Sequence, residues 1–87
     1  MFNLLIVEDN EKLRAALKSG LETNEIHVAH VCDNGEDALT YCLESPPEVI
    51  LMDVQLASEM NGIQAAVAIR REFPRMPVVF YSIQDDD

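Results

Sequence analysis

At 87 residues the chain has room for one domain, and a domain of this size buries only roughly 60% of its unfolded surface, so its stability margin is thin. Sixteen Asp and Glu against six Lys and Arg give a formal net charge of -10, which works against direct nucleic-acid binding because phosphate contacts need clustered Lys and Arg. The apolar runs fall short of the about 20 residues of a membrane span, and MFNLLIVEDN has no basic stretch ahead of its apolar run, so a cytoplasmic location is expected.

In chain order, NLLIV (Asn3 to Val7) is a short continuous apolar run and reads as a strand. After EDN, the stripe Leu13, Ala16, Leu17 and Leu21 marks an amphipathic helix, with Asn10 placed to cap it and Glu11 in its electropositive first turn. HVAHV (His27 to Val31) is a second strand, expected at the sheet edge with His27 and His30 on opposite faces. Asp33, Asn34 and Gly35 then break the chain before a second helix. Its stripe is Ala38, Leu39, Cys42 and Leu43, and Pro46 and Pro47 end it.

EVILMD (Glu48 to Asp53) is a third strand. The loop VQLASEMNG leads to a third helix from Gly62 to about Phe73, with Ile63, Ala66, Ile69 and Phe73 on its apolar stripe. After Pro74 and Pro77, VVFYS reads as a fourth strand, with either Phe80 or Tyr81 in the core. Cys32 and Cys42 lack metal-ligand or disulfide spacing and are expected as small core side chains. Asp85, Asp86 and Asp87 read as solvated charges.

Strands separated by helices of about ten residues imply parallel βαβ units, and LLIV, VILM and VVFY are apolar on both faces, as strands covered on both sides must be. The fold class is therefore α/β, an open doubly wound sheet that binds ligands outside the carboxyl ends of its strands. Glu8 and Asp9 follow the first strand, Asp53 ends the third, and Ser82 ends the fourth. Three carboxylates side by side repel one another unless a cation neutralises them, and a set of hard oxygen donors suits Mg²⁺. Asp53, central and at the end of a buried strand, is the candidate nucleophile toward a phosphoryl group, with Ser82 able to donate a hydrogen bond to a phosphoryl oxygen.

The set IVEDN, VILMDVQL, a loop closing on NG, and VVFYS resembles the receiver domain of bacterial two-component response regulators across all 87 residues. The resemblance implies a flavodoxin-like sheet of strand order 2-1-3-4 with three helices. It also implies that Asp53 accepts a phosphoryl group from a histidine kinase or histidine phosphotransfer protein. Glu8 and Asp9 then match the acidic pair that positions Mg²⁺, Gln55 offers its backbone carbonyl to the metal, and Ser82 is the hydroxyl switch.

The sequence departs from the family pattern in places. Ala57 stands where Pro is usual, and Gly62 lies nine residues after Asp53 instead of eight. The last helix-strand-helix segment and its active-site Lys are not in these 87 residues, so the chain reads as a truncated receiver. Lys12, Arg14 and Lys18 on the first helix, and Arg70, Arg71 and Arg75 around the end of the third, do not replace that Lys by position.

An apolar fourth strand left at the edge is expected to pair with a second copy, giving a homodimer. The expected function is a phosphorylation-controlled interaction module and not an enzyme; the alternative is an interaction module that keeps the fold without being phosphorylated. A phosphohydrolase would place a second Asp where Gln55 stands, and a nucleotide site would need a glycine in VEDNEK.

Overall fold

The structure, a computed structural model, describes residues 1–82. Its elements run β1 (Phe2–Val7), α1 (Glu11–Leu21), β2 (Ile26–Cys32), α2 (Gly35–Glu44), β3 (Val49–Asp53), α3 (Gly62–Glu72) and β4 (Val78–Tyr81). The strands form one parallel sheet in the order β2-β1-β3-β4. This is the doubly wound arrangement that the alternation of elements implies.

Each helix begins on an asparagine. Asn10, Asn34 and Asn61 accept from the backbone N–H groups of Leu13, Asp37 and Gln64, and Gln64 reaches back to the Asn61 N–H at 2.9 Å to complete a capping box. Loss of one such cap costs about 1 kcal/mol. The helices therefore start where sequence signals place them, which fixes the loops that carry the site.

The strands alternate their side chains between two cores. Leu5, Val7, Ile50 and Met52 pack with Ala38 and Cys42 of α2 and Ala65 and Ile69 of α3. On the other face, Leu4, Ile6 and Val28 pack with Leu17 and Leu21 of α1. Cys32 and Cys42 are buried free thiols, and burial raises them to about 12 and about 11, which leaves both protonated and chemically inert.

Several positions differ from expectation. Ala16, Leu43 and Ile63 are exposed, the last at 46%. In α3 the buried stripe is Gly62, Ala65, Ala66 and Ile69, which rotates Ile63 and Val67 outward; small residues let the helix lie close to the sheet, so the bulkier stripe is the one turned away. Neither Phe80 nor Tyr81 is fully buried: Phe80 is 42% exposed at the sheet edge, and Tyr81 is half-buried because its side chain turns across the carboxyl end of the sheet.

Glu48 precedes β3, its backbone N–H bonded to the Asn3 carbonyl and its carboxylate accepting from the Asn3 N–H. His27 stands 3.4 Å from Glu22, while the His30 ring stacks on Tyr41 of α2 at 4.3 Å between centroids. The expectation for Asp85, Asp86 and Asp87 lies outside the described residues.

Glu22 closes the α1–β2 connection by accepting from the Val28 N–H at 2.8 Å, and that bond, with His27 beside it, holds its carboxyl below the ordinary value of 4.5. A lowered acid stabilises the fold above its unfolded value and loses that contribution as pH falls through its folded value. Glu22→Gln should therefore melt at a lower temperature than the parent near neutral pH, and the two melting curves should converge in more acidic buffer. A difference that is independent of pH would show that the charge contributes nothing.

Candidate functional site

Because β1 and β3 are parallel neighbours, with Val7 opposite Met52, Glu8 and Asp53 leave the sheet side by side. Asp53 pairs with Tyr81 across β4, so Glu8, Asp53 and Tyr81 form one row along the carboxyl edge. Glu8, Asp9 and Asp53 each offer a carboxylate oxygen within 4.8 Å of the others. Glu8 is 2% exposed and Asp53 7%.

Local bonds fix each acid. Glu8 Oε2 accepts from the Asn10 N–H at 2.9 Å and Oε1 from the Tyr81 hydroxyl, while the Arg14 guanidinium binds the Glu8 carbonyl at 3.0 Å. Asp53 Oδ1 accepts from the Gln55 N–H at 3.0 Å. Asp9 Oδ2 accepts from the Ala57 N–H at 2.8 Å, which ties the loop of residues 54–61 to the loop after β1. Proline has no N–H to make that bond, so Ala57 supplies an anchor that the usual residue cannot.

Burial pushes the Glu8 carboxyl above its ordinary 4.5, and the Tyr81 and Asn10 donors oppose the rise, while the Asp53 charge adds to it. A raised acid gives stability that is fully present below 4.5 and is lost as pH rises through its folded value. Near neutral pH the buried Glu8 carboxylate therefore works against the fold. Tyr81 is pushed above the ordinary phenol range, first by burial and then by Glu8, Asp53 and Asp9, so its proton stays in place as a donor.

Four of the five site residues expected from sequence meet here: Glu8, Asp9 and Asp53 by their carboxylates, and Gln55 by its amide on Asp53. Ser82 follows β4 directly and is exposed. Sequence reasoning missed Tyr81, whose hydroxyl reaches Glu8 across an intervening strand. Only strand pairing reveals it, since the two residues are 73 positions apart.

Three buried or half-buried acids thus meet at the carboxyl edge of a parallel sheet, the edge at which open α/β domains bind their ligands. The sequence matches the family model of the response regulator receiver domain over residues 4–87. The response regulator protein VraR of Staphylococcus epidermidis is 38% identical over 77 residues, 87% of this chain and 36% of that protein. A protein-glutamate methylesterase/protein-glutamine glutaminase of Halobacterium salinarum is 32% identical over the whole chain, which spans 25% of it.

Among solved structures, the response regulator domain of CheB from Thermotoga maritima superimposes with a TM-score of 0.87 at 28% identity, covering 94% of this chain and 60% of that one. The signal receiver domain of a modulated diguanylate cyclase from Desulfovibrio desulfuricans does so with a TM-score of 0.87 at 29% identity, covering 99% and 68%. The chain belongs to the receiver-domain family of response regulators. It spans about a third of the length of the first curated relatives it matches, and those relatives include both regulators and an enzyme.

Gly62 sets how close α3 comes to the site. A Cβ there would stand 2.1 Å from the Asp53 carbonyl oxygen, a backbone atom that cannot move without shifting Asp53, and the Gly62 N–H already bonds the Val54 carbonyl at 3.1 Å. Gly62→Ala is expected to cost roughly 1–3 kcal/mol and lower the melting temperature by roughly 5–20 °C. Gly20→Ala, in open space on α1, should raise stability by about 0.5–1 kcal/mol. Equal behaviour of the two variants in thermal melts would contradict the close approach at Gly62.

Proposed function

We propose that the chain is the phospho-accepting module of a two-component phosphorelay, with Asp53 as the acceptor. The observation that carries this reading is the convergence of Glu8, Asp9 and Asp53 within 4.8 Å at the ends of adjacent strands. Three carboxylates so placed repel strongly, and their hard oxygen donors fit a divalent cation of the Mg²⁺ kind. When bound, such a cation supplies charge neutralisation to the cluster and to an incoming phosphoryl group.

The chain's own residues do the rest. The Gln55 N–H holds one Asp53 oxygen and so orients the other toward the phosphorus of a phosphohistidine on a sensor histidine kinase or phosphotransfer protein. The new bond is Asp53 O–P; the P–N bond to histidine breaks, and the imidazole keeps the electron pair and takes up a proton. Asn10 and Ala57 fix Glu8 and Asp9 as cation ligands, and the Gln55 carbonyl is assigned as a further oxygen ligand. Ser82, just past β4, is assigned the phosphoryl contact that passes phosphorylation on to protein–protein binding.

A cytoplasmic site of action fits this role, and no described helix is long and apolar enough to cross a membrane. The charge of -10 favours protein partners over direct nucleic-acid contact. The alternative reading is an interaction module that keeps the receiver fold without being phosphorylated.

Incubation with acetyl phosphate and Mg²⁺, followed by intact mass, separates the two. The expected result is a gain of one phosphoryl group that disappears in Asp53→Asn or with a chelator. No gain in the parent chain, or a gain that survives in Asp53→Asn, removes Asp53 from the role.

For the 87-residue chain, we also propose a homodimer through β4. Among the described residues β4 pairs only with β3, and Val79 and Phe80 are 53% and 42% exposed. Light scattering should give twice the monomer mass at micromolar concentration, and Val79→Lys should return the monomer mass. A parent chain that scatters as a monomer rejects the dimer.

A further inference from the structure

Tyr81 sits on β4, two strands from Glu8 on β1, and Asp53 on β3 stands between them in the same row. Neighbouring strands lie about 4.8 Å apart, so roughly 10 Å of sheet separates the two backbones, and the Tyr81 and Glu8 side chains together bridge it, the phenol hydroxyl donating to Glu8 Oε1. The other Glu8 oxygen is held by the Asn10 N–H. A buried carboxylate without a donor is costly, so this hydroxyl stabilises Glu8 while the cluster holds no cation.

A cation uses the same space. Oxygen ligands of Mg²⁺ lie about 2.1 Å from the metal, so opposite ligands are about 4.2 Å apart, close to the present spread of the cluster, within 4.8 Å. The hydroxyl hydrogen carries partial positive charge at an oxygen that a cation would bind.

We propose that Tyr81 is a latch on the acidic cluster: its hydroxyl occupies Glu8 in the cation-free protein and is displaced when the site loads, which frees the carboxyl end of β4 and Ser82 with it. The inference rests on the reading of Glu8, Asp9 and Asp53 as a cation site. Tyr81 is a positioning residue, since it acts through Glu8 and not on the transferred group. The Asp53 and Asp9 charges, which also keep the proton on Tyr81, are consistent with its hydroxyl standing inside the cluster.

A latch and a purely structural contact differ in sign. Tyr81→Phe removes the donor from the cation-free state alone, so the variant should melt lower without Mg²⁺ and bind Mg²⁺ roughly ten- to a hundredfold more tightly than the parent by titration calorimetry, the size of one hydrogen bond to a charged group. Equal or weaker Mg²⁺ binding by Tyr81→Phe overturns the latch.

A second measurement keeps the native residue. With only Tyr41 and Tyr81 present, the Tyr41→Phe chain carries a single tyrosine, and its ultraviolet difference spectrum should change on Mg²⁺ addition with the same midpoint as the calorimetric titration. A flat spectrum under saturating Mg²⁺ rejects displacement even if Tyr81→Phe fails to fold. Failure of the underlying reading looks different: the parent chain then gives no binding heat with Mg²⁺, and Asp53→Asn gives the same trace.

Discussion

Because β1 and β3 run parallel and side by side, the chain leaving each strand delivers its first acid to the same place, and the repulsion among Glu8, Asp9 and Asp53 becomes the condition that the surrounding structure answers. The answers are hydrogen bonds from fixed donors. Asn10 and Tyr81 hold Glu8, Ala57 holds Asp9, and Gln55 holds Asp53. Each donor comes from an element whose own position is fixed elsewhere: a helix cap, a loop anchored by the buried side chain of Leu56, or the edge strand.

The same crowding has an energetic cost that falls on a small fold. Burial raises Glu8 above its ordinary value, so its charge opposes folding near neutral pH, in a chain with little apolar surface to offset it. Anything that supplies positive charge at the cluster therefore stabilises the fold and alters the bonds around it together. In the proposed latch, that linkage would carry cation binding at the carboxyl edge of the sheet to the end of β4.

How much of this could be read from the chain depended on the kind of signal. Asn10 announced the start of α1 because capping is local chemistry, and Asn34 and Asn61 prove to cap α2 and α3 in the same way. Asp53 stood out because an acid after four apolar residues conflicts with burial unless the strand end carries chemistry. Ile63 misled, because α3 carries two apolar stripes and periodicity cannot say which faces the sheet; the small Ala65 and Ala66 decide that through close packing. Leu43 and Ala16 misled for the related reason that an apolar residue on a stripe need not have anything lying over it.

The sequence by itself determined the alternation of strands and helices, the parallel sheet that follows from it, and the placing of Glu8, Asp9, Asp53 and Ser82 at the carboxyl ends of three strands, since all of these follow from local periodicity and turn residues. Only the tertiary structure decided that Tyr81 reaches Glu8, that the Ala57 N–H closes on Asp9, and that Gly62 must lack a Cβ against the Asp53 carbonyl. These contacts join residues from different elements, and their distances are set by strand spacing and helix approach. No local pattern along the chain encodes either.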